Sequence, residues 1–173
     1  MRARRTQDFS ARSRETVFPG SAAFGIKDPV LVRGQDLQIL ATVHPLTEGD
    51  ENADRMISVD ACSGEPVMVP DPGTWYSRGT RITAVVGEYA YFDGRASASE
   101  NYEERTGVAK WNRSRYVAVS GPASSPFGGG ALRYVSAIAL PAGGLRLYYE
   151  SATRYGSHEL RTELRAQPGA SRS

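Results

Sequence analysis

Three times along the chain, an apolar strand, a glycine-containing turn and a second strand follow one another at a spacing of about 50 residues. The first copy, "DPVLVRGQDLQILATV", starts at Asp28. The second, "RITAVVGEYAYFDGRA", starts at Arg81, and the third, "RYVSAIALPAGGLRLYYESA", at Arg133. Each is followed by a polar connection and a third strand, over 55–61, 105–111 and 159–164. Fourth strands are expected near 66–69 and 116–120. No long stretch repeats its apolar residues every 3.6 positions, and glycine and proline interrupt the chain too often for long helices. The pattern predicts an all-β chain.

A repeat of this length suits a four-stranded antiparallel meander, the blade of a β-propeller, whose first strand lines a central channel. The expected fold is a β-propeller fragment of about three four-stranded antiparallel blades. They are placed near 28–70, 78–121 and 131–164, together a partial propeller over 23–164. Residues 1–22 are polar and arginine-rich and read as a disordered basic leader. "RAQPGASRS", residues 165–173, reads as a flexible tail.

Composition narrows the function classes. A net charge of +2 is too small to argue for nucleic acid or a membrane surface, and what basic bias exists sits in the two ends. No apolar run approaches the roughly 18 residues of a membrane helix. No apolar stretch follows the first arginines, so no secretory signal is visible and a cytoplasmic location is expected. Cys62 is the only cysteine. It excludes an intrachain disulfide and a cysteine-based metal site, and it is expected to be buried and inert. His44 and His158 are too few for a metal centre. No metal and no cofactor is expected. Gly128-Gly129-Gly130 lacks the lysine of a phosphate loop and reads as a turn.

The densest chemical stretch is "YFDGRASASENYEERTG", residues 91–107. It joins the second and third strands of the middle repeat by a connection of roughly ten residues, longer than the usual 2–5 of a hairpin. Asp93 and Arg95 end one strand, and Glu104 and Arg105 begin the next. The group is either a set of ion pairs across the hairpin or, with Asn101 and Tyr102, a ligand-binding loop. Asp93 and Glu150 end equivalent second strands, where the first repeat is expected to carry Leu40; Arg55 and Arg105 are matched on the third strands. Asp28 precedes Pro29, which directs it into extended backbone at a strand entrance. There it either caps a turn or offers a carboxylate to a shared channel mouth. Trp75 and Trp111 are expected to pack blade on blade.

"GIKDPVLVRGQDLQIL", "YSRGTRITAVV", "YFDGRASASENYEERTGVA" and "GGLRLYYESATRYGSHELRTEL" resemble the five-bladed β-propeller glycosidases, glycoside hydrolase family 43 and the invertase-like family 32. The resemblance spans roughly residues 18–164 and covers only the C-terminal blades. It implies carbohydrate as the partner and hydrolysis of O-glycosidic bonds as the activity. Catalytic carboxylates would come from Asp28, Glu104 and Asp93. Asp28 resembles either the family's acid-tuning aspartate of a middle blade or its first-blade aspartate. Arg81, Arg95, Tyr102, Arg105 and His158 would contact sugar. The family's acid is a glutamate at an inner-strand entrance, where this chain reads Arg78-Gly79-Thr80-Arg81. Only three of five blades are visible. The expectation is therefore a truncated chain, weakly active or inactive alone, that self-associates through exposed blade edges. The alternatives are a non-catalytic carbohydrate-binding or scaffold protein on the same blades, and an unrelated all-β sandwich.

Overall fold

The computed structural model describes residues 15–33, 37–46 and 55–166. The chain is all-β. Its strands are β1 (Phe24–Arg33), β2 (Leu37–Pro45), β3 (Ile57–Asp60), β4 (Pro66–Met68), β5 (Gly79–Val86), β6 (Tyr89–Arg95), β7 (Arg105–Trp111), β8 (Tyr116–Ala123), β9 (Leu132–Ala139), β10 (Leu145–Ala152) and β11 (His158–Arg165). A 3-10 turn, Ala98–Glu100, lies in the connection from β6 to β7. The strands form three successive antiparallel meanders: β1 to β4, β5 to β8, and β9 to β11. The third has three strands among the described residues. Of the expected leader and tail, residues 1–14 and 167–173 lie outside the described residues. Phe18, inside the expected leader, packs on the cluster of Ala41, Val59 and Ala61.

The meanders stack face on face. Leu40, Val30 and Val32 of the first pack on Ile82, Ala90, Phe92 and Ala109 of the second. Ala84, Val86 and Tyr91 of the second pack on Val135, Leu145 and Leu147 of the third. Alternation along each strand supplies these two apolar faces. The leading strands β1, β5 and β9 lie side by side, β5 between the other two. Single parallel bridges join successive meanders, Met56↔Gly79 and Arg105↔Leu132. The space between the second and third holds a cavity of about 430 Å³, lined among others by Tyr91, Val108, Gly121, Leu147, Tyr149 and Arg165.

Each leading strand carries one extra residue at the same place. Lys27 lies opposite Thr42 and Val30 opposite Leu40, so three steps on β1 match two on β2. Arg81 faces Asp93 and Ala84 faces Tyr91 in the second meander. Arg133 faces Glu150 and Ser136 faces Tyr148 in the third. These are β-bulges, which bend a strand and redirect a side chain. They align Lys27, Arg81 and Arg133 as equivalent positions.

The alignment corrects three expectations. Asp28 is not at a strand entrance: it sits four residues inside β1, at the bulge, with a left-handed φ of 53°. The residue equivalent to Asp93 and Glu150 is Thr42 rather than Leu40, because the bulge offsets the register. On the third strands Ser58 matches Thr106, so Arg105 falls at Ile57 rather than Arg55. Cys62 is exposed, on the turn after β3, rather than buried.

The same hydrogen bond recurs between meanders. Ser58 Oγ donates to the Thr80 carbonyl at 3.3 Å, and Thr106 Oγ1 donates to the Leu132 carbonyl at 2.8 Å. Thr80 and Leu132 each precede the equivalent arginine. Their amides also donate back, Thr80 to the Met56 carbonyl and Leu132 to the Glu104 carbonyl, both at 3.1 Å. Every junction is thus a two-way latch next to an arginine.

Candidate functional site

The arginines at the start of β5 and β9 organise the site. Arg81 is 2 % exposed and makes a forked contact with Asp93 Oδ2, Nε at 3.2 Å and Nη2 at 2.8 Å. Such a forked pair fixes both side chains. Asp93 also accepts from the Tyr134 amide at 3.0 Å, and its Oδ1 lies 3.0 Å from Thr106 Oγ1, whose single proton is shared between this carboxylate and the Leu132 carbonyl. Burial pushes the Asp93 carboxyl up from its ordinary value, against the pull of Arg81 and the Tyr134 amide. Burial works to lower the Arg81 guanidinium, but Asp93 and Glu104 outweigh it and hold the group above its ordinary value. Arg81 is therefore a permanent cation.

The second arginine closes the network. Arg133 Nη1 donates to Glu104 Oε2 at 2.9 Å, and its Nε donates to Glu150 Oε2 at 3.1 Å. Glu104 Oε1 lies 3.7 Å from Arg81 Nη2, so one glutamate bridges both guanidinium groups. Asp28 Oδ2 lies 3.7 Å from Arg81 Nη1 and is buried without a hydrogen-bond partner. At that separation the pair is charge without a directed bond.

Tyr134 lies flat on this cluster. Its ring centroid is 4.0 Å from the Arg81 guanidinium carbon and 5.0 Å from that of Arg133. Its hydroxyl accepts from Arg81 Nη1 at 3.1 Å. Tyr102 stands over Arg133 at 5.8 Å and is 66 % exposed. Asp28, Tyr102 and Tyr134 have φ of 53°, 69° and 55°. Side chains disfavour this left-handed region, and such strain gathers at functional sites. Asp28, Pro29, Thr83, Tyr134 and Val135 line a cavity of about 190 Å³ where the three bulges meet.

The remaining expected residues divide. Arg95 and Arg105 bind within the β6–β7 connection, Arg95 to Asn101 Oδ1 and Arg105 to Glu100 Oε2, both at 2.9 Å. They brace the loop that carries Tyr102. His158 starts β11 at the position equivalent to Glu104 and Met56, and it makes no hydrogen bond or ion pair to a described side chain. The structure thus gathers Asp28, Arg81, Asp93, Glu104 and Tyr102, and leaves His158 apart. Asp93 and Glu104 hold the arginines of the leading strands, Arg81 and Arg133, while Arg105 holds Glu100. Sequence reasoning missed Arg133, Tyr134, Thr106 and Glu150 as members. The arginine that opens both the second and third repeats was the available signal.

Chemically, the arrangement offers two exposed tyrosine faces above fixed cations and one carboxylate with an unused oxygen. No group of three or more histidine, cysteine, aspartate or glutamate residues among the described residues could hold a metal ion. No described helix is long and apolar enough to cross a membrane. No family model, curated protein or solved structure matches the chain.

Proposed function

We propose that the chain binds carbohydrate at the mouth formed by the three bulges, on meanders that are blades of a glycosidase-type β-propeller, and that it does not hydrolyse what it binds. The observation that carries this reading is the convergence of three strained, non-glycine residues, Asp28, Tyr102 and Tyr134, on one arginine pair. Sugars offer hydroxyls and apolar ring faces. Asp28 supplies an acceptor, Tyr102 and Tyr134 supply aromatic faces, and the cavity between the bulges supplies concavity.

Binding is favoured over hydrolysis because of how the acids are held. Hydrolysis needs an acid and a base or nucleophile, free to act about 5–10 Å apart across the bond. Asp93 is 1 % exposed and committed to Arg81, Thr106 and the Tyr134 amide. Glu104 is 3 % exposed and tied to Arg133. Only Asp28 of the three carboxylates reaches the mouth.

The test is a titration of the chain with arabinose, xylose, fructose and mannose oligosaccharides, read by NMR shifts. Shifts confined to residues around Tyr134, Tyr102 and Asp28, weakened about tenfold or more in Tyr102→Ala, are expected. Assays on the matching aryl glycosides should give no turnover. Absence of shifts at tens of millimolar sugar would sink the binding reading. Turnover lost in Asp28→Asn would replace it with catalysis.

A further inference from the structure

The register that aligns the meanders also shows which faces are used and which are left over. Val30, Val32 and Leu40 of the first meander face the second. Ala84, Val86 and Tyr91 hold the same positions in the second and face the third. The equivalents in the third meander are Ser136, Ile138 and Tyr148. On that face β11 adds Leu160, Thr162 and Leu164. No described residue covers it: Ile138, Tyr148, Leu160 and Leu164 are exposed, Leu160 by 76 %. At the other end, the first meander has a face of the kind that receives a neighbour, which among the described residues only Phe18 partly covers. Leu31 and Leu37 on it are exposed, Leu31 by 64 %, beside half-buried Ile39. Phe18 packs on its Ala41, Val59 and Ala61 cluster, while Leu31 and Leu37 stay exposed.

We infer that these two faces bind each other between two copies of the chain, head to tail, closing a two-fold ring of six meanders. One junction geometry is used twice within the chain, so a third use of it, between copies, continues an interface already built. A head-to-tail contact closes into a ring when its rotation permits, and rings of such units hold about four to eight of them. The exposed apolar residues lie on the two faces that would meet, as expected of an interaction surface.

Polar groups at the free faces are complementary in the same register. Asp93 accepts from the Tyr134 amide at the junction of the second and third meanders. Glu150 holds the Asp93 position and Asp28 the Tyr134 position. Glu150 of one copy is therefore set to accept from the Asp28 amide of the other. The Asp28 carboxylate would approach Arg133, as Tyr134 approaches Arg81. Ile26 holds the position of Thr80 and Leu132, whose amides donate to the preceding meander, and His158 holds that of the acceptors Met56 and Glu104. The latch hydroxyl of Ser58 and Thr106 is replaced by Leu160, so this junction leans more on apolar contact than the two inside the chain. The inference does not require sugar to bind, although it uses Asp28 and Arg133 of the same site.

The test is sedimentation velocity of the 173-residue chain, with Leu31→Glu and Leu160→Glu as variants on opposite faces. Both side chains are exposed, so thermal melts should show folded variants. A wild-type dimer is expected, each variant alone should be monomeric, and mixing the two should restore a weaker dimer through the one undamaged junction. Hydrogen exchange at the Ile26 amide should slow about tenfold or more on dimerisation. A monomer at 100 μM (about the upper range of such runs) overturns the inference. So does a dimer that survives Leu31→Glu, since it would pair like faces, or growth into open chains, since the ring would not close.

Discussion

Arg81 and Asp93 face each other across the β5–β6 ladder and are joined at two points, through Nε at 3.2 Å and Nη2 at 2.8 Å. Removing Asp93 leaves the buried Arg81 guanidinium, among the described residues, with only the 3.7 Å contacts to Glu104 and Asp28 and the Tyr134 hydroxyl, which costs up to about 3–5 kcal/mol. Asp93→Asn should therefore lower unfolding free energy by about that amount in urea titrations. The double variant Arg81→Met, Asp93→Leu should lose clearly less than the two single losses combined. A double loss equal to that combined loss would show that the pair does not act as a unit.

The latch serine is a second point of failure. Ser58 Oγ accepts from the Ile82 amide at 2.9 Å while donating to the Thr80 carbonyl. Ser58→Ala leaves a buried amide unsatisfied, at a cost of about 1–3 kcal/mol. Hydrogen exchange at Ile82 should accelerate more than exchange in β10, because the loss is local to the first junction. Uniform acceleration would count against a latch.

Two glycines should tolerate no side chain. A Cβ on Gly94 would meet Tyr76 Cβ at 2.5 Å and Trp75 Cζ3 at 2.6 Å. One on Gly107 would meet Phe92 and Trp75 at 2.7 Å. Trp75 and Phe92 stack with centroids 5.2 Å apart, so they cannot both give way cheaply. Gly94→Ala and Gly107→Ala should each destabilise by about 1–3 kcal/mol or more and alter the near-ultraviolet tryptophan signal. Wild-type melting of either variant would refute the packing.

Acid should expose the turn after β3. Burial acts to raise the Asp60 carboxyl, but the Gln38 side chain and the Ser63 and Cys62 amides outweigh it and hold the group below its ordinary value of 3.8. A carboxyl lowered by folding stabilises the fold above its unfolded value, and that contribution disappears as pH falls through the folded value. The melting-temperature gap between wild type and Asp60→Asn should be constant from pH 7 to about pH 5 and shrink below about pH 4. A gap that widens in acid would reverse the assigned sign.

Much of this architecture was legible in the residues. Alternating apolar runs between turn residues marked the strands, and their recurrence marked three meanders starting near Asp28, Arg81 and Arg133. The bulges were not legible. One extra residue on β1, at Asp28 and Pro29, makes Thr42 rather than Leu40 the counterpart of Asp93, and no local composition announces it. The site was half legible for a related reason. Asp28, Asp93 and Glu104 stand out as carboxylates beside strands. Their arginine partners are fixed by packing between meanders, which links residues as distant in sequence as Glu104 and Arg133.

The bulges leave on every leading strand a residue that belongs to neither of its faces. Alternation resumes on both sides of Thr83 with Arg81, Ala84 and Val86 directed to the same neighbour. Asp28 and Tyr134, which share one position, and Thr83, one position further along its strand, all lie within the bulges and all line the small cavity. The bulges thus present side chains to the cavity, while the alternating positions on either side of them hold the meanders together.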